Sequence, residues 1–556
     1  MAIYNAPIDE YMFLLDLFDY KNETYDVESL KAIFLSIEKF CQNEYLPANK
    51  KGDQVGIKYD SKQRCVKMPE FCHTLYQKLL DTGVLPLSMP EEFGGGGAPM
   101  VVYTIINEMM CATNNAFTMG PGLTEGAITA IHQKGSEEIK KEYLPKLISG
   151  EWMGTMCLTE PHCGTDLGLI KTKATPQDDH YLIEGTKIWI SFGDHDLTEN
   201  IIHLVLAKLP DAPEGTKGIS LFLVPKYLDK KRNNVYCDGL EEKMGIHLSP
   251  TCVMNFDKAK GWLVGDLNKG MQAMFIMMNA ARVGVGVQGL ALADIAYQTA
   301  LSFAKDRRQS RSLDPKKREM NESADSILVH PDVRRMLLEC KATNEAMRAL
   351  AMYAILEQDK NGDTDKFALL TPIVKSYLTE RGCENISTAQ QVLGGSGYVS
   401  DWDIEQYYRD ARISMIYEGT NAIQALDLVG RKLPKHQGKA LMDLFKEIES
   451  AEKEFLPEFK KACASSRQKV QTAALWLMEN AIKDPEEAGA VATRFLNLMA
   501  FALMTYMWGL MTKSKRKDKI ATGEFFIHHV LPEMDLYANQ LKAGKRDIMK
   551  LHEDHF

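Results

Sequence analysis

The feature that constrains the fold most is a proline-free run of 38 residues at positions 271–308. Apolar residues recur in this run with the spacing of an α-helix. Three further segments with the same period follow it, and they begin near Val333, Phe367 and Gly419. Because four apolar helices pack most economically side by side, the sequence predicts a four-helix bundle over residues 271–433.

The rest of the chain contains helical and β-type residue patterns in separate regions. Residues 1–150 have helical periods interrupted by the loop PEEFGGGGAP, whereas residues 151–270 contain five short β-type runs separated by turn residues. Residues 434–556 are again helical in period. We therefore expect a multidomain, mainly α protein: an N-terminal α-helical domain, a central antiparallel β-barrel or sandwich, the bundle, and a helical C-terminal extension.

Bulk properties exclude several classes of protein. A formal net charge of -9 argues against a dedicated nucleic-acid binder, which needs a basic face to attract phosphates. The eleven cysteines include no CxxC pair, so we expect reduced thiols and no metal site, even at the adjacent His162 and Cys163. The N-terminus has no signal or transit pattern, and the apolar run at 495–511 is too short for a membrane span. We expect a cytoplasmic protein without membrane contact, in which that run is a buried helix.

Two motifs in the β region contain candidate ligand-binding residues. CLTEPHCGTD, at residues 157–166, is a strand that runs into a turn with hydroxyl and backbone N–H groups. Such a turn can hold a phosphate or the edge of a heterocycle, although a plain β-turn is the simpler interpretation of the motif alone. KIWIS, at residues 187–191, places Trp189 and Ser191 on one face of a strand, where the tryptophan is either a core residue or a wall for a flat cofactor.

Three motifs in the helical region add to these. AKDRRQSRS, at residues 304–312, ends the longest helix with arginines, which suits either an anionic ligand or a solvated helix end. QQVLGGSGY, at residues 390–398, is a glycine-rich helix end and lacks the preceding strand of a dinucleotide-binding fingerprint. SMIYEGTNAIQ, at residues 414–424, places Glu418 between an apolar strip and Gly419. By itself this motif also fits a surface or capping carboxylate.

In this order and spacing the five motifs resemble those of the acyl-CoA dehydrogenase family, and the resemblance extends from the first helices to Leu433. The opening YNAPIDEYMFLLDLF, the basic insert after DRRQSRS and the C-terminal extension are similar to the subfamily that contains 3-methylmercaptopropionyl-CoA dehydrogenase. That subfamily also contains dehydrogenases of ordinary fatty acyl-CoAs. The resemblance therefore implies one of these two substrate classes without choosing between them.

The resemblance implies FAD-dependent α,β-dehydrogenation of an acyl-CoA to the trans-2-enoyl-CoA, as in fatty acid β-oxidation. Glu418 would abstract the α proton, a hydride would pass from the β carbon to flavin N5, and electron-transfer flavoprotein would accept the electrons. Some relatives carry the base on the long helix, but Ala281 stands there in this chain. Burial beside Ile416 and Tyr417 should raise the pKa of Glu418 toward neutrality, and Gly419 should let the thioester approach closely.

The resemblance also assigns binding roles to individual positions. Those that match the family's FAD contacts are Met156, Leu158, Thr159, Gly164, Thr165, Trp189, Ile190, Ser191, Arg307, Gln309, Gln391, Gly394, Gly395 and Thr420. Those that match substrate contacts are Thr165, Asn279, Arg282, Tyr417 and Gly419. Because the family's equivalent of Arg307 reaches the FAD of a neighbouring subunit, a homodimer or homotetramer is expected.

Two other functions remain open at the level of the sequence. An acyl-CoA oxidase would use the same base and flavin but would pass the electrons to O2. A DNA-binding flavoprotein of the same fold is a different class, against which the acidic net charge argues.

Overall fold

The computed structural model describes residues 2–556, apart from the side chains of residues 279 and 280. Contacts within the chain divide it into two compact units. We call them the helical unit, which comprises Met1–Leu35 and Arg282–Phe556, and the mixed unit, which is Ser36–Ala281. The predicted substrate contact at Asn279 therefore lies outside the described residues.

Most of the described chain is helical, as the sequence predicts. The α-helices are α1 (Ile8–Leu17), α2 (Val27–Phe40), α3 (Leu46–Val55), α4 (Glu70–Asp81), α5 (Met100–Lys134), α6 (Glu137–Ser149), α7 (Gly270–Asp306), α8 (Pro331–Asn361), α9 (Asp365–Leu393), α10 (Ile404–Arg412), α11 (Asn421–Asp427), α12 (Lys439–Ala451), α13 (Pro457–Ala481), α14 (Pro485–Thr512), α15 (Lys517–Phe525) and α16 (Glu533–Lys542).

Local signals set several helix ends. In α6 the Ser136 hydroxyl accepts a hydrogen bond from the amide of Ile139, and Gly150 ends the helix with φ +80°. These are the N-cap and glycine C-cap that satisfy the free backbone groups at helix termini.

Helix α9 packs closely against the part of α7 that belongs to the helical unit. A Cβ atom on Gly289 would lie 2.7 Å from the Cα atom of Thr379, and one on Gly382 would lie 2.4 Å from the Gly289 carbonyl oxygen. Glycine therefore brings the two backbones nearly into contact. The fourth predicted bundle helix is short, because α11 ends at Asp427 and a π-helical turn follows it.

The C-terminal extension belongs to the same compact unit as the bundle helices. Helix α14 packs against α8, α9 and α11, and its most apolar window is 94% buried. Both α14 and α7 are long and apolar enough to cross a membrane, a property that core helices of soluble proteins share. The prediction that residues 495–511 form a buried helix is confirmed.

The strands are β1 (Lys58–Asp60), β2 (Cys65–Lys67), β3 (Trp152–Cys157), β4 (Lys173–Gln177), β5 (His180–Ser191), β6 (Asn200–Lys208), β7 (Ile219–Pro225), β8 (Tyr227–Leu228), β9 (Lys231–Arg232), β10 (Val235–Leu240) and β11 (Thr251–Val264). Seven of them form one sheet, with the order β10-β11-β5-β4-β6-β3 and with β7 paired to both β11 and β6. All lie in the mixed unit.

The predicted antiparallel β-barrel is wrong. The sheet is mixed, because β6 runs parallel to both β3 and β4, whereas the other pairs are antiparallel. The five predicted β runs are all present, but alternation along a strand shows only which faces are buried. Strand order and direction depend on pairings between segments distant in sequence, which local patterns do not encode.

Candidate active site

Glu418 lies in a short loop of the helical unit between Met415 and the start of α11. Its φ is +57° and that of Gly419 is +82°, so two consecutive residues have left-handed backbone conformations. This conformation is unfavourable for a residue with a side chain and persists only where surrounding contacts enforce it. The partly buried glutamate is thus held in a defined position.

The buried side-chain amide of Gln424 holds this loop in place. The Nε2 group of Gln424 donates to the carbonyl oxygen of Glu418 at 3.0 Å and to that of Gly419 at 3.2 Å. Gln424 is fully buried on α11, and the Thr420 hydroxyl caps that helix by accepting a hydrogen bond from the Ile423 amide. Helix α11 therefore carries the group that enforces the left-handed turn.

Burial and two cations set the charge state of Glu418. Desolvation raises the pKa of its carboxyl above the ordinary value, and the positive charges of Arg282 and Lys375 partly oppose this increase. Lys375 is fully buried on α9, and its Nζ atom donates to Oδ1 of Asn421 at 3.0 Å. Burial lowers the pKa of Lys375 to about 7. Glu418 is thus a carboxylate whose proton affinity is raised and tuned, as a general base requires.

Arg282 belongs to a second cluster, around Asp427. Its guanidinium lies 3.6 Å from the Asp427 carboxylate, which Arg431 also contacts at 2.6 Å. Arg282 is only 5% exposed and its Nε atom has no hydrogen-bond partner among the described residues. The structure brings Arg282 into the electrostatic surroundings of Glu418, and its predicted contact with CoA stays a prediction.

The remaining predicted residues of this loop also have defined places. The Tyr417 hydroxyl donates to the side-chain oxygen of Gln288 on α7.

Two residues that act on the Glu418 loop, Lys375 and Gln424, were not predicted from the sequence. A lysine within the apolar segment ALLTPIVKSYL is a visible sequence signal for Lys375, whereas nothing in the local sequence distinguishes Gln424.

In the mixed unit a buried ion pair joins the two predicted flavin strands. Lys187 on β5 donates to Oε1 of Glu160 at 2.9 Å and to the Leu158 carbonyl oxygen at 2.8 Å. The amide of Ile188 donates to the carbonyl oxygen of Thr159 at 2.9 Å. The segment after β3 is therefore fixed against β5 by side-chain and backbone bonds.

The Trp189 side chain is 56% exposed, so the core-residue interpretation is wrong. Its φ is +62°, and the β5–β11 register shifts between the partners of Ile190 and Lys187. A β-bulge of this kind redirects a side chain and is common next to functional sites. Ile190 is buried, whereas Ser191 remains partly exposed.

These residues fit a flat heterocyclic cofactor. The exposed indole of Trp189 offers an aromatic face, and Met156, Leu158 and Thr159 are partly exposed on the neighbouring segment. The hydroxyl groups of Thr159 and Ser191 supply hydrogen-bonding groups beside apolar surface. Such a combination suits an isoalloxazine ring.

The turn after Glu160 is rigid and presents exposed backbone. Glu160 and Cys163 exchange backbone hydrogen bonds of 2.9 and 3.0 Å, and Gly164 and Thr165 beyond them are exposed. Glu160, His162 and Cys163 place possible metal ligands within 4.8 Å of one another. Both oxygens of Glu160 already accept hydrogen bonds from Lys187 and from residues 171 and 172, so the carboxylate serves the ion pair.

The predicted FAD contacts outside these strands lie at helix ends of the helical unit. Arg307 follows α7, is exposed, and forms no ion pair within the described part of the chain, whereas Arg308 pairs with Glu319 at 2.6 Å. Gln309 is exposed in the same loop. At the end of α9, Gln391, Gly394 and Gly395 are all exposed. Their roles stay predictions.

Comparison with known proteins agrees with this arrangement. Family models described as the N-terminal, middle and C-terminal domains of acyl-CoA dehydrogenase match residues 28–151, 155–259 and 268–433, and one described as acetyl-CoA dehydrogenase C-terminal like matches 442–552. The 3-methylmercaptopropionyl-CoA dehydrogenase of Ruegeria pomeroyi is 40% identical over 95% of this chain and 96% of its own length.

Solved structures show the same fold. Caenorhabditis elegans ACDH-11 in complex with C11-CoA superposes with a TM-score of 0.84 at 18% identity, over 99% of this chain and 96% of its own. An acyl-CoA dehydrogenase of Bacillus anthracis complexed with FAD has a TM-score of 0.77 at 23% identity, over 95% of this chain and 91% of its own. With its motifs, its Glu418 loop and a 40% identical relative matched over nearly the full length, this chain belongs to the acyl-CoA dehydrogenase family.

Proposed function

We propose that this chain oxidises an acyl-CoA thioester to the trans-2-enoyl-CoA, with Glu418 as the base that removes the α proton. The observation that carries the proposal is the Glu418 loop. A partly buried carboxylate with a raised pKa is held in a strained backbone conformation by Gln424, with two cations acting on it. A base of this kind matches the weak acidity of the carbon next to a thioester.

The backbone of the same residue suits the thioester carbonyl. The Glu418 amide donates to no acceptor among the residues that the structure describes. Its N–H is therefore available to a carbonyl oxygen that becomes negative as the α proton leaves, which is the stabilisation such reactions need. The carboxylate and the N–H of one residue would then act on neighbouring atoms of the substrate.

We further propose FAD as the cofactor, held by Met156, Leu158, Thr159, Trp189 and Ser191, with Gly164 and Thr165 at the exposed turn. When bound, FAD accepts the hydrogen that leaves the β carbon with its electron pair. The exposed Arg307 would bind its pyrophosphate in a neighbouring subunit, which makes a homodimer or homotetramer the active form. Gln309, Gln391, Gly394 and Gly395 would bind other parts of the cofactor.

The substrate and the electron acceptor complete the proposal. The similarity to a 3-methylmercaptopropionyl-CoA dehydrogenase favours a short acyl chain, either that thioester or a fatty acyl-CoA. Electron-transfer flavoprotein would reoxidise the flavin, in a cytoplasmic enzyme. Measuring hydrogen peroxide production against reduction of electron-transfer flavoprotein tests this assignment, and stoichiometric peroxide would make the enzyme an oxidase.

The test of the base is Glu418→Gln. This variant should keep its fold and bound FAD and lose about 10²–10⁴-fold in kcat, the usual contribution of a general base. Glu405→Gln is a matched control, because Glu405 pairs with Arg409 on α10. Near-normal turnover by Glu418→Gln would contradict the assignment.

A further inference from the structure

A narrow cavity lies inside the mixed unit along one side of α5. Its volume is about 40 Å³, and its wall is mostly apolar. Helix α5 is interrupted beside it, because Asn114 has non-helical φ and ψ angles of -159° and 75° and Pro121 lies within the helix. Because one water needs about 10–15 Å³ of such space, the cavity admits only the last few atoms of a ligand chain.

One residue of the cavity wall contacts a strand proposed to bind FAD. The Thr124 hydroxyl lines the cavity and accepts a hydrogen bond from the amide of Gly154 on β3 at 3.1 Å. One turn earlier, a Cβ atom on Gly120 would lie 3.0 Å from the ring of Phe192, which follows Ser191. Helix α5 therefore lines the cavity and also contacts residues in or next to the strands proposed to bind FAD, which places the cavity near those strands.

One acidic side chain lines this apolar cavity. Glu125 is 7% exposed, and the one side-chain hydrogen bond that its carboxyl receives within the described residues comes from Thr129 at 3.2 Å. No cation of the described chain compensates for its burial, which raises the pKa of Glu125 to about 7. The Tyr103 hydroxyl also lines the cavity, and burial raises its pKa well above the usual value.

A buried carboxyl without a cation is costly when ionised, and in its neutral form it is a hydrogen-bond donor. Its second oxygen has no partner among the described residues, so an acceptor is needed in the cavity to satisfy its proton. A plain hydrocarbon chain offers none and leaves the donor unpaired. A chain with an oxygen or sulfur atom near its end supplies one.

We propose that Glu125, as a neutral acid, and Tyr103 bind a hydrogen-bond-accepting atom near the end of a short acyl chain. The site then prefers a thioether or ether acyl-CoA over an unsubstituted chain of the same length. This inference rests on the proposed function, because it concerns the acyl chain whose α proton Glu418 removes. It assigns the choice of substrate to two residues remote in sequence from the base.

The decisive measurement is the ratio of kcat/KM for 3-methylmercaptopropionyl-CoA to that for pentanoyl-CoA, whose acyl chains have the same number of heavy atoms. Glu125→Leu should reduce this ratio about two- to twelvefold, since a hydrogen bond is worth about 0.5–1.5 kcal/mol. Glu125→Gln keeps a donor and should preserve most of the ratio. 3-Methoxypropionyl-CoA, which carries a stronger acceptor, should respond more than the thioether.

Three controls isolate the effect of the polar contact. Tyr103→Phe removes a hydroxyl with little change of volume, should reduce the ratio by a smaller factor, and decides the matter if Glu125→Leu does not fold. Met110→Leu alters the cavity without a polar group and should shift both substrates together. Calorimetric binding of both thioesters to Glu418→Gln with and without Glu125→Leu gives the same comparison without turnover.

An unchanged ratio in Glu125→Leu and Tyr103→Phe, with normal activity on both thioesters, would overturn this inference and leave the proposed function intact. Absence of dehydrogenation by the wild-type enzyme on any short acyl-CoA would instead overturn the proposed function. A wild-type ratio near one would also contradict the role of Glu125.

Discussion

Removing either partner of the buried Glu160–Lys187 pair should destabilise the protein, and Glu160→Gln should cost more than Lys187→Met. The Glu160 carboxylate also accepts hydrogen bonds from the Thr172 hydroxyl at 2.6 Å and from two backbone amides at 2.7 and 3.0 Å. Lys187 has only the Leu158 carbonyl oxygen as a further acceptor within the described chain. The cation therefore depends on the pair more than the carboxylate does.

The expected losses of stability follow from the free-energy cost of neutralising the charge that each substitution leaves unpaired. At pH 7 an orphaned Lys187 can lose its proton for about 5 kcal/mol, given its ordinary pKa of 10.5 and about 1.4 kcal/mol for each pH unit below it. An orphaned Glu160, with an ordinary pKa of 4.5, can gain a proton for about 3.4 kcal/mol. Both values agree with the loss of about 3–5 kcal/mol typical of a broken buried pair.

The two variants should also respond to pH in opposite directions. In the wild type the pKa of Glu160 is lowered, so its contribution is lost only below its unfolded pKa, outside the range of about pH 6–9. The penalty of Glu160→Gln should fall by about 1.4 kcal/mol per unit as pH rises, because Lys187 deprotonates more easily. The penalty of Lys187→Met should fall as pH decreases, because Glu160 protonates more easily.

Urea unfolding of the holoenzyme between about pH 6 and 9, followed by circular dichroism and by flavin absorbance, measures both effects. Because the pair fixes the segment that carries Leu158 and Thr159 to β5, flavin should be released earlier in each variant. Glu137→Gln, which removes the exposed pair with Lys140, is the control and should change little. Penalties below about 1 kcal/mol, or pH slopes of the same sign, would refute the reasoning.

Three further predictions concern the helical unit. Lys375→Met removes a cation that lowers the pKa of Glu418, so the acid limb of the kcat/KM profile should move to higher pH, and a limb that does not move would contradict this. Gln424→Leu removes two hydrogen bonds to the loop and should reduce kcat about 10–100-fold with little change in KM, whereas equal changes in both would indicate a binding role. Arg307→Ala should lower the FAD content of purified protein, while Arg308→Ala, which loses only contacts within its own loop to Glu319, Glu322 and the Ala324 carbonyl oxygen, should retain it.

The sequence predicted the helices and strands well because their signals are local. The cap at Ser136 and the stop at Gly150 arise within a few residues, and so do the periods of α7 and α14. The functional loop was also predictable, since an acidic residue between an apolar strip and a glycine stands out in the motif SMIYEGTNAIQ. Its resemblance to a known family then implied the role of a base, which we propose for it.

The features that the sequence did not predict depend on contacts that form only in the folded chain, and most of these contacts join distant segments. The parallel pairing of β6 with β3 and β4 requires strand order, and the exposure of Trp189 requires the bulge opposite β11. Gln424 is an ordinary helical residue until its amide meets the loop six residues earlier. Local patterns carry no information about these partners.

By itself the sequence determined the family, the alternation of helical and β regions, and Glu418 as the base to consider. Only the tertiary structure decided how the charge state of this carboxyl is tuned, because the pKa of a carboxylate depends on burial and on charges that folding brings near it. Lys375 and Arg282 lie 43 and 136 positions from Glu418, yet both act on its charge. The same holds for Glu125, whose isolation in an apolar cavity exists only once α5 is packed.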